Sequence, residues 1–211
     1  MAEIQLFLKG WLIGLGIAAP VGPVGVLCLR RTLQQGRLLG FVSGLGAATA
    51  DAAYGMVAAL GLSWLAQALL SAKDWLGIIG GIFICYLGIR SLLTKASTTQ
   101  LDASPTHMTG DLFKAWASTF VITLTNPLTI LSFAAVFAGL GLIQASAAQS
   151  WTGTWLVLGV FIGSAMWWGL LSGLGGLFRR RLNQGGLTWI NRGAGVLLFA
   201  MGVAMLWSIL A

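Results

Sequence analysis

Long apolar runs, separated by short polar or charged breaks, dominate this chain. Six of them fall at about 6–29, 38–62, 75–93, 115–143, 151–178 and 187–210. Each approaches or exceeds the roughly 20 mainly apolar residues that a helix needs to cross a bilayer. Helices are the expected form, because lipid cannot satisfy the backbone groups of an open strand edge. The one extended polar stretch, 94–114, contains Ser97, Thr98, Thr99, Asp102, Pro105, His107 and Asp111, the composition of a solvated linker. The pattern predicts an all-α membrane protein of six transmembrane helices, with units at 1–94 and 115–211 joined by a linker loop at 95–114.

The two units look related. Gly81 and Gly88 in the third run are spaced as Gly195 and Gly202 are in the sixth, and Leu39-Gly40 with Gly44 parallels Leu158-Gly159 with Gly163. The first and fourth runs are each interrupted by proline, at Pro20 and Pro23 and at Pro127. Three spans per unit force the second unit to enter the membrane upside down. The expectation is therefore two inverted three-helix repeats, an arrangement secondary transporters use for alternating access around a site near the midplane.

Composition sharpens this picture. Only 8% of the residues are charged, against about 25% in soluble domains, and 115–178 contains no Asp, Glu, Lys or Arg. The net charge of +7 does not point to nucleic acid, because no basic stripe is interleaved with aromatics. The basic residues sit between the apolar runs. Arg30, Arg31, Arg37, Arg90, Lys95, Lys114, Arg179, Arg180, Arg181 and Arg192 fall on one side of the predicted topology, and Lys9 and Lys73 on the other. The positive-inside rule puts the larger set in the cytoplasm and both termini outside. A cleaved signal peptide is not expected, since the first residues carry Glu3 and no basic cluster. Cys28 and Cys85 lie in apolar runs without metal-ligand spacing and read as buried small hydrophobes.

Few residues remain that could carry chemistry. Proline inside a helix removes a donor and frees carbonyls that need other partners. Pro20, Gly22 and Pro23 do this in the first run, and Pro127 in the fourth, where Asn126 adds an amide that can donate and accept. Asp51 lies near mid-depth of the second run. A carboxyl there costs about 2.5–3.5 kcal/mol on insertion scales and usually faces the bundle interior with a task. It could exchange a proton or pair with a cationic amine. Tyr54, three residues on, shares its face and is a candidate hydrogen-bond partner. Of Trp167 and Trp168, deep in the fifth run, one is expected to face lipid or core and the other to line a cavity opposite Asp51; Trp167 is the candidate. Glycines at four-residue spacing (10/14, 40/44, 159/163, 169/173) suit close helix packing, within one protomer or in a homodimer. His107 reads as a solvated loop residue. No catalytic or metal-binding constellation can be assembled, so neither an enzyme nor a cofactor is expected.

Pro20-Val21-Gly22-Pro23, followed by Arg30-Arg31 and the series Gly36, Gly40, Gly44 and Asp51, resembles the first motif region of the LysE/RhtB amino-acid exporters. Thr125-Asn126-Pro127 is similar to that family's second-half Asn-Pro motif, and Ser164-Ala165-Met166-Trp167-Trp168-Gly169 to its aromatic fifth span. The resemblance covers essentially the whole chain. It implies export of amino acids or related small metabolites across a bacterial inner membrane, with the proton as coupling ion. It further implies that Asp51 is the coupling or amine-binding acid, and that the two proline breaks are inverted partners. Val24 stands where the family often has a polar residue, which implies a more apolar pocket. The alternatives are a divalent-cation exporter, with Asp51 and Asn126 as ligands, and a membrane subunit that transports nothing.

Overall fold

The computed structural model describes residues 2–20, 22–60, 63–93, 105–139, 150–179 and 184–210. Among these the chain is helical throughout, with no strand. The first apolar run forms α1 (Ala2–Ala18) and α2 (Pro23–Gln35), and the second forms α3 (Arg37–Ala59). A short α4 (Ser63–Ser71) leads into α5 (Lys73–Leu93). The later runs form α6 (Pro105–Thr125), α7 (Pro127–Gly139), α8 (Ser150–Arg179) and α9 (Gln184–Leu210). Residues 94–104 of the expected linker lie outside the described residues, and α6 already begins at Pro105 within that stretch. His107 is in its first turn.

Both proline interruptions are real breaks. The axis turns by 80° between α1 and α2, and by 64° between α6 and α7. Three described helices, α5, α8 and α9, are individually long and apolar enough to cross a membrane, and each bent pair taken as one span brings the number to five. The second apolar run, expected as a further span, corresponds to α3, which is not among these. Its place explains why composition undersells it: Ala47, Ala48 and Ala50 are buried on all sides, between α2, α6 and α8. A helix surrounded by protein needs small residues for close packing, and these add little hydropathy. By contrast only 22% of the apolar window of α9 is buried. Its outer face, with Val196, Leu197, Val203 and Trp207, is left for lipid.

Glycine sets the helix contacts. In α1 a Cβ at Gly10 or Gly14 would run into the α8 backbone at Leu156 or Val160, and Gly159 and Gly163 of α8 meet the α1 backbone in return. Two of the four-residue glycine pairs thus form one interface. On the far side Gly88 lies against Gly195, and Gly81 against Gly202, so α5 and α9 pack backbone to backbone. The turn from α2 to α3 is a single residue, Gly36, at φ 107°. Side chains other than glycine rarely adopt this region. Its N–H closes on the carbonyls of Arg31 and Thr32.

Basic residues collect at one end of the bundle. Arg31 in α2 donates to Ser43 Oγ in α3 (2.8 Å), and to the Ala115 carbonyl (3.0 Å) and Ser118 Oγ (2.8 Å) in α6. Arg30 donates to Asn191 Oδ1 at the start of α9 (2.6 Å). Asn191 also accepts from Ser91 at the end of α5 (2.9 Å). Five helices are tied together there through polar side chains, whereas the layer beneath is apolar: Leu27, Cys28, Ile84, Ile122 and Leu198 are almost wholly buried.

Candidate functional site

Pro127 has no N–H to donate, and Asn126 caps the helix that follows: its side-chain Oδ1 accepts the Leu128 N–H at 3.1 Å. That bond takes the donor which an unbroken helix would have sent to the Leu124 carbonyl. The Tyr54 hydroxyl, from α3, donates to this carbonyl instead, at 2.7 Å. Tyr54 is therefore committed to the break in the fourth run and not to Asp51. Its ring stacks on Phe133 with centroids 5.3 Å apart.

The first break is arranged differently. The last bond of α1 runs from the Ala19 N–H to the Leu15 carbonyl, and α2 opens with Pro23 in its first turn. Gly22 stands at the N-cap position with extended backbone (φ −106°, ψ −167°) and supplies no side-chain cap.

Between the breaks lies a cavity of about 480 Å³, within the roughly 300–1,000 Å³ usual for small-molecule sites. Pro20, Gly22 and Pro23 line it from one break, and Asn126 and Pro127 from the other. Asp51 and Trp168 close its flank, and Met201, Met205 and Ser208 of α9 complete it. Because the α9 contribution comes from its last turns, the cavity lies toward the end of the bundle opposite the basic cluster. Its wall is mostly apolar, and Val24 and Ala47 contribute to it.

Asp51 is 3% exposed. Its Oδ2 accepts from Ser164 Oγ at 2.7 Å, and Ser164 Oγ accepts from Trp168 Nε1 at 3.1 Å. A serine hydroxyl has one proton and two lone pairs, so it can serve both neighbours at once. The three side chains form a directed chain from α8 into α3 that fixes the carboxyl against the cavity. Gly44 makes room for it, since a Cβ there would overlap the Trp168 side chain.

The structure thus brings Asp51, Asn126, Pro20, Gly22, Pro23 and Pro127 to one cavity. Tyr54 is buried behind it, bracing α6. Trp167 is half-buried and packs against the apolar core, and it is its neighbour Trp168 that reaches the cavity. Ser164 opens the aromatic stretch of the fifth run but is given no role by the sequence, although its spacing of four from Trp168 puts both on one helix face. Among the described residues no group of three His, Cys, Asp or Glu side chains is placed to hold a metal ion.

Residues 15–208 match the family model described as LysE type translocator. The chain is 30% identical over 202 residues, 94% of each chain, to a protein of Bacillus subtilis (strain 168) named "Putative amino acid efflux protein YcgF". It is 24% identical over 139 residues to "Uncharacterized membrane protein YahN" of Escherichia coli (strain K12), covering 66% of this chain and 60% of that one. No solved structure matches it.

Proposed function

Because the chain belongs to the LysE type translocator family, and is a multi-pass membrane protein of transporter type, we propose that it exports amino acids or related small metabolites across the bacterial inner membrane, in exchange for protons and by alternating access. The observation that carries this reading is the single cavity where both helix breaks meet a buried carboxyl. Broken helices expose backbone groups to a polar ligand at membrane depth, where intact helices would hide them. The largely apolar wall suits a cargo with some apolar side chain. Asp51 either takes up the coupling proton or pairs with the cargo's amine, and Asn126 offers its amide NH2 as a donor.

The inverted-repeat reading goes with this function: six spans, with 1–94 and 115–211 as the repeats and α3 and α4 carrying the second span. Exchanging the repeats exchanges the α1–α8 contact with the α6–α3 contact, and maps the α5–α9 contact onto itself. The facing pairs Gly81–Gly202 and Gly88–Gly195 obey the same exchange. The positive-inside rule places the basic end in the cytoplasm and both termini outside, so the described cavity faces outward.

The test is uptake into inverted vesicles from an external amino-acid mixture under an imposed pH gradient, with wild type compared with Asp51→Asn. Selective transport of one or a few amino acids by wild type, reduced at least about tenfold in the variant, is the expected result. Equal transport by both proteins removes Asp51 from the mechanism. Transport of divalent cations in place of amino acids replaces the reading altogether.

A further inference from the structure

A second cavity, of about 320 Å³, opens at the basic end of the bundle. It is lined by Arg30, Arg31, Arg90 and Lys114 against a single carboxylate, Asp111. Four cations around so small a volume repel one another, and walls of low dielectric focus their field into the space they share. For Arg30 and Lys114, the described residues supply little to offset this. Arg31 spends three of its five N–H donors on Ser43, Ala115 and Ser118 and acts as a clamp between helices. Arg30 donates its Nε to Asn191, but its two terminal nitrogens find no acceptor among the described residues. The Lys114 ammonium forms no ion pair with Asp111 or any other described carboxylate. A planar guanidinium presenting two free nitrogens suits bidentate pairing with a carboxylate.

The two cavities are stacked along α2. Its first turn, with Pro23, Val24 and Gly25, lines the outward cavity, and its next turns, from Leu27 through Arg30 to Gln34, line the basic one. One helical turn is about 5.4 Å. One apolar cluster reaches both, with Val24 and Trp168 at the outward cavity and Leu27 and Leu87 at the basic one.

We propose that the basic cavity is a cytoplasmic loading site that binds the carboxylate of an amino acid through the terminal nitrogens of Arg30, with Lys114 adding attraction, before the cargo passes to the cavity at Asp51. This rests on the exporter reading, and it adds a second binding site with its own chemistry. It predicts that recognition at entry depends on the carboxylate, whereas the outward cavity, with its own carboxyl at Asp51, reads a different part of the cargo.

Binding at Arg30 can be read without transport. The full chain is placed in nanodiscs of phosphatidylcholine alone, and the rate of phenylglyoxal modification at each arginine is followed by mass spectrometry. The probes are a mixture of the standard amino acids and the matching mixture of amino-acid amides, at equal ionic strength. Exposed Arg37, which does not line the cavity, is the internal control. The expected result is at least about threefold slower modification of Arg30 with the amino acids, no slowing with the amides, and no change at Arg37. Asp51→Asn retains the protection. Equal rates with and without amino acids overturn the site. Protection by sodium chloride or phosphate to the same degree also overturns it, leaving general charge screening. Protection that appears only when phosphatidylglycerol is added assigns the cavity to a lipid headgroup instead. Arg30 protection in a protein that moves no amino acid in the vesicle assay keeps the carboxylate site while removing the exporter reading. In a transporting protein, Lys114→Gln raises the KM measured from the cytoplasmic face several-fold and leaves the outward-face KM unchanged.

Discussion

The two helix breaks use the same device, a proline within an apolar run, yet they are held in different ways. At the second, Asn126 caps α7 and Tyr54 reaches across from α3 to satisfy the Leu124 carbonyl. At the first, a glycine stands where the cap would be, without a side-chain hydrogen bond. A break braced by side chains has one favoured geometry, because leaving a buried polar group unpaired costs about 1–3 kcal/mol. One held by backbone alone forfeits less when it bends. The comparison predicts that the α6–α7 break is the fixed wall of the cavity and the α1–α2 break its movable one.

Breaking that contrast is a matter of removing the braces. Tyr54→Phe keeps the ring on Phe133 and deletes only the hydroxyl, so the Leu124 carbonyl loses its donor. A loss of roughly 1–3 kcal/mol is expected, visible as a lowered thermal midpoint in detergent and faster amide exchange in α7. Asn126→Ala removes the cap and costs about 1 kcal/mol, whereas Asn126→Asp keeps an acceptor at the same position and restores most of it. Equal stability of the alanine and aspartate variants would refute the capping role. Gly22→Ala carries the smallest expected effect on stability, under about 0.5 kcal/mol, since its backbone suits any residue and nothing lies within 4 Å of the added Cβ. Transport should still slow several-fold, because the stiffer residue restrains the movable break. An unchanged transport rate would show that this break does not bend in the cycle.

What the sequence made legible followed the range of each signal. Proline acts on its own helix, so both breaks could be located from Pro20, Pro23 and Pro127 alone. Apolar runs marked the long helices, α3 among them, although its alanine-rich interior place gives it modest hydropathy. An ionisable residue in an apolar run needs no partner to stand out, which is why Asp51 was visible. Choosing between Trp167 and Trp168 required the rotation of α8 about its axis. Adjacent residues differ by 100° there, and only packing against Gly44 settles it. Tyr54 shares a helix face with Asp51, but the demand it answers, a freed carbonyl on α6, arises 70 residues away. The Arg30 and Arg31 contacts were out of reach for the same reason, since they depend on how the starts and ends of five helices meet.

If the chain exports amino acids, cargo occupies the cavity between the two breaks. Ser132 lines that cavity from α7, and Cys28 is fully buried, so Ser132→Cys in a Cys85→Ser background offers one reactive thiol inside it. The decisive measurement is the rate at which a membrane-impermeant maleimide, added to intact cells, labels this thiol with and without an external amino-acid mixture. The expected result is labelling from outside, slowed at least about threefold by the amino acids, and loss of efflux once the thiol is blocked. Labelling at one rate under both conditions, with efflux intact afterwards, would contradict it.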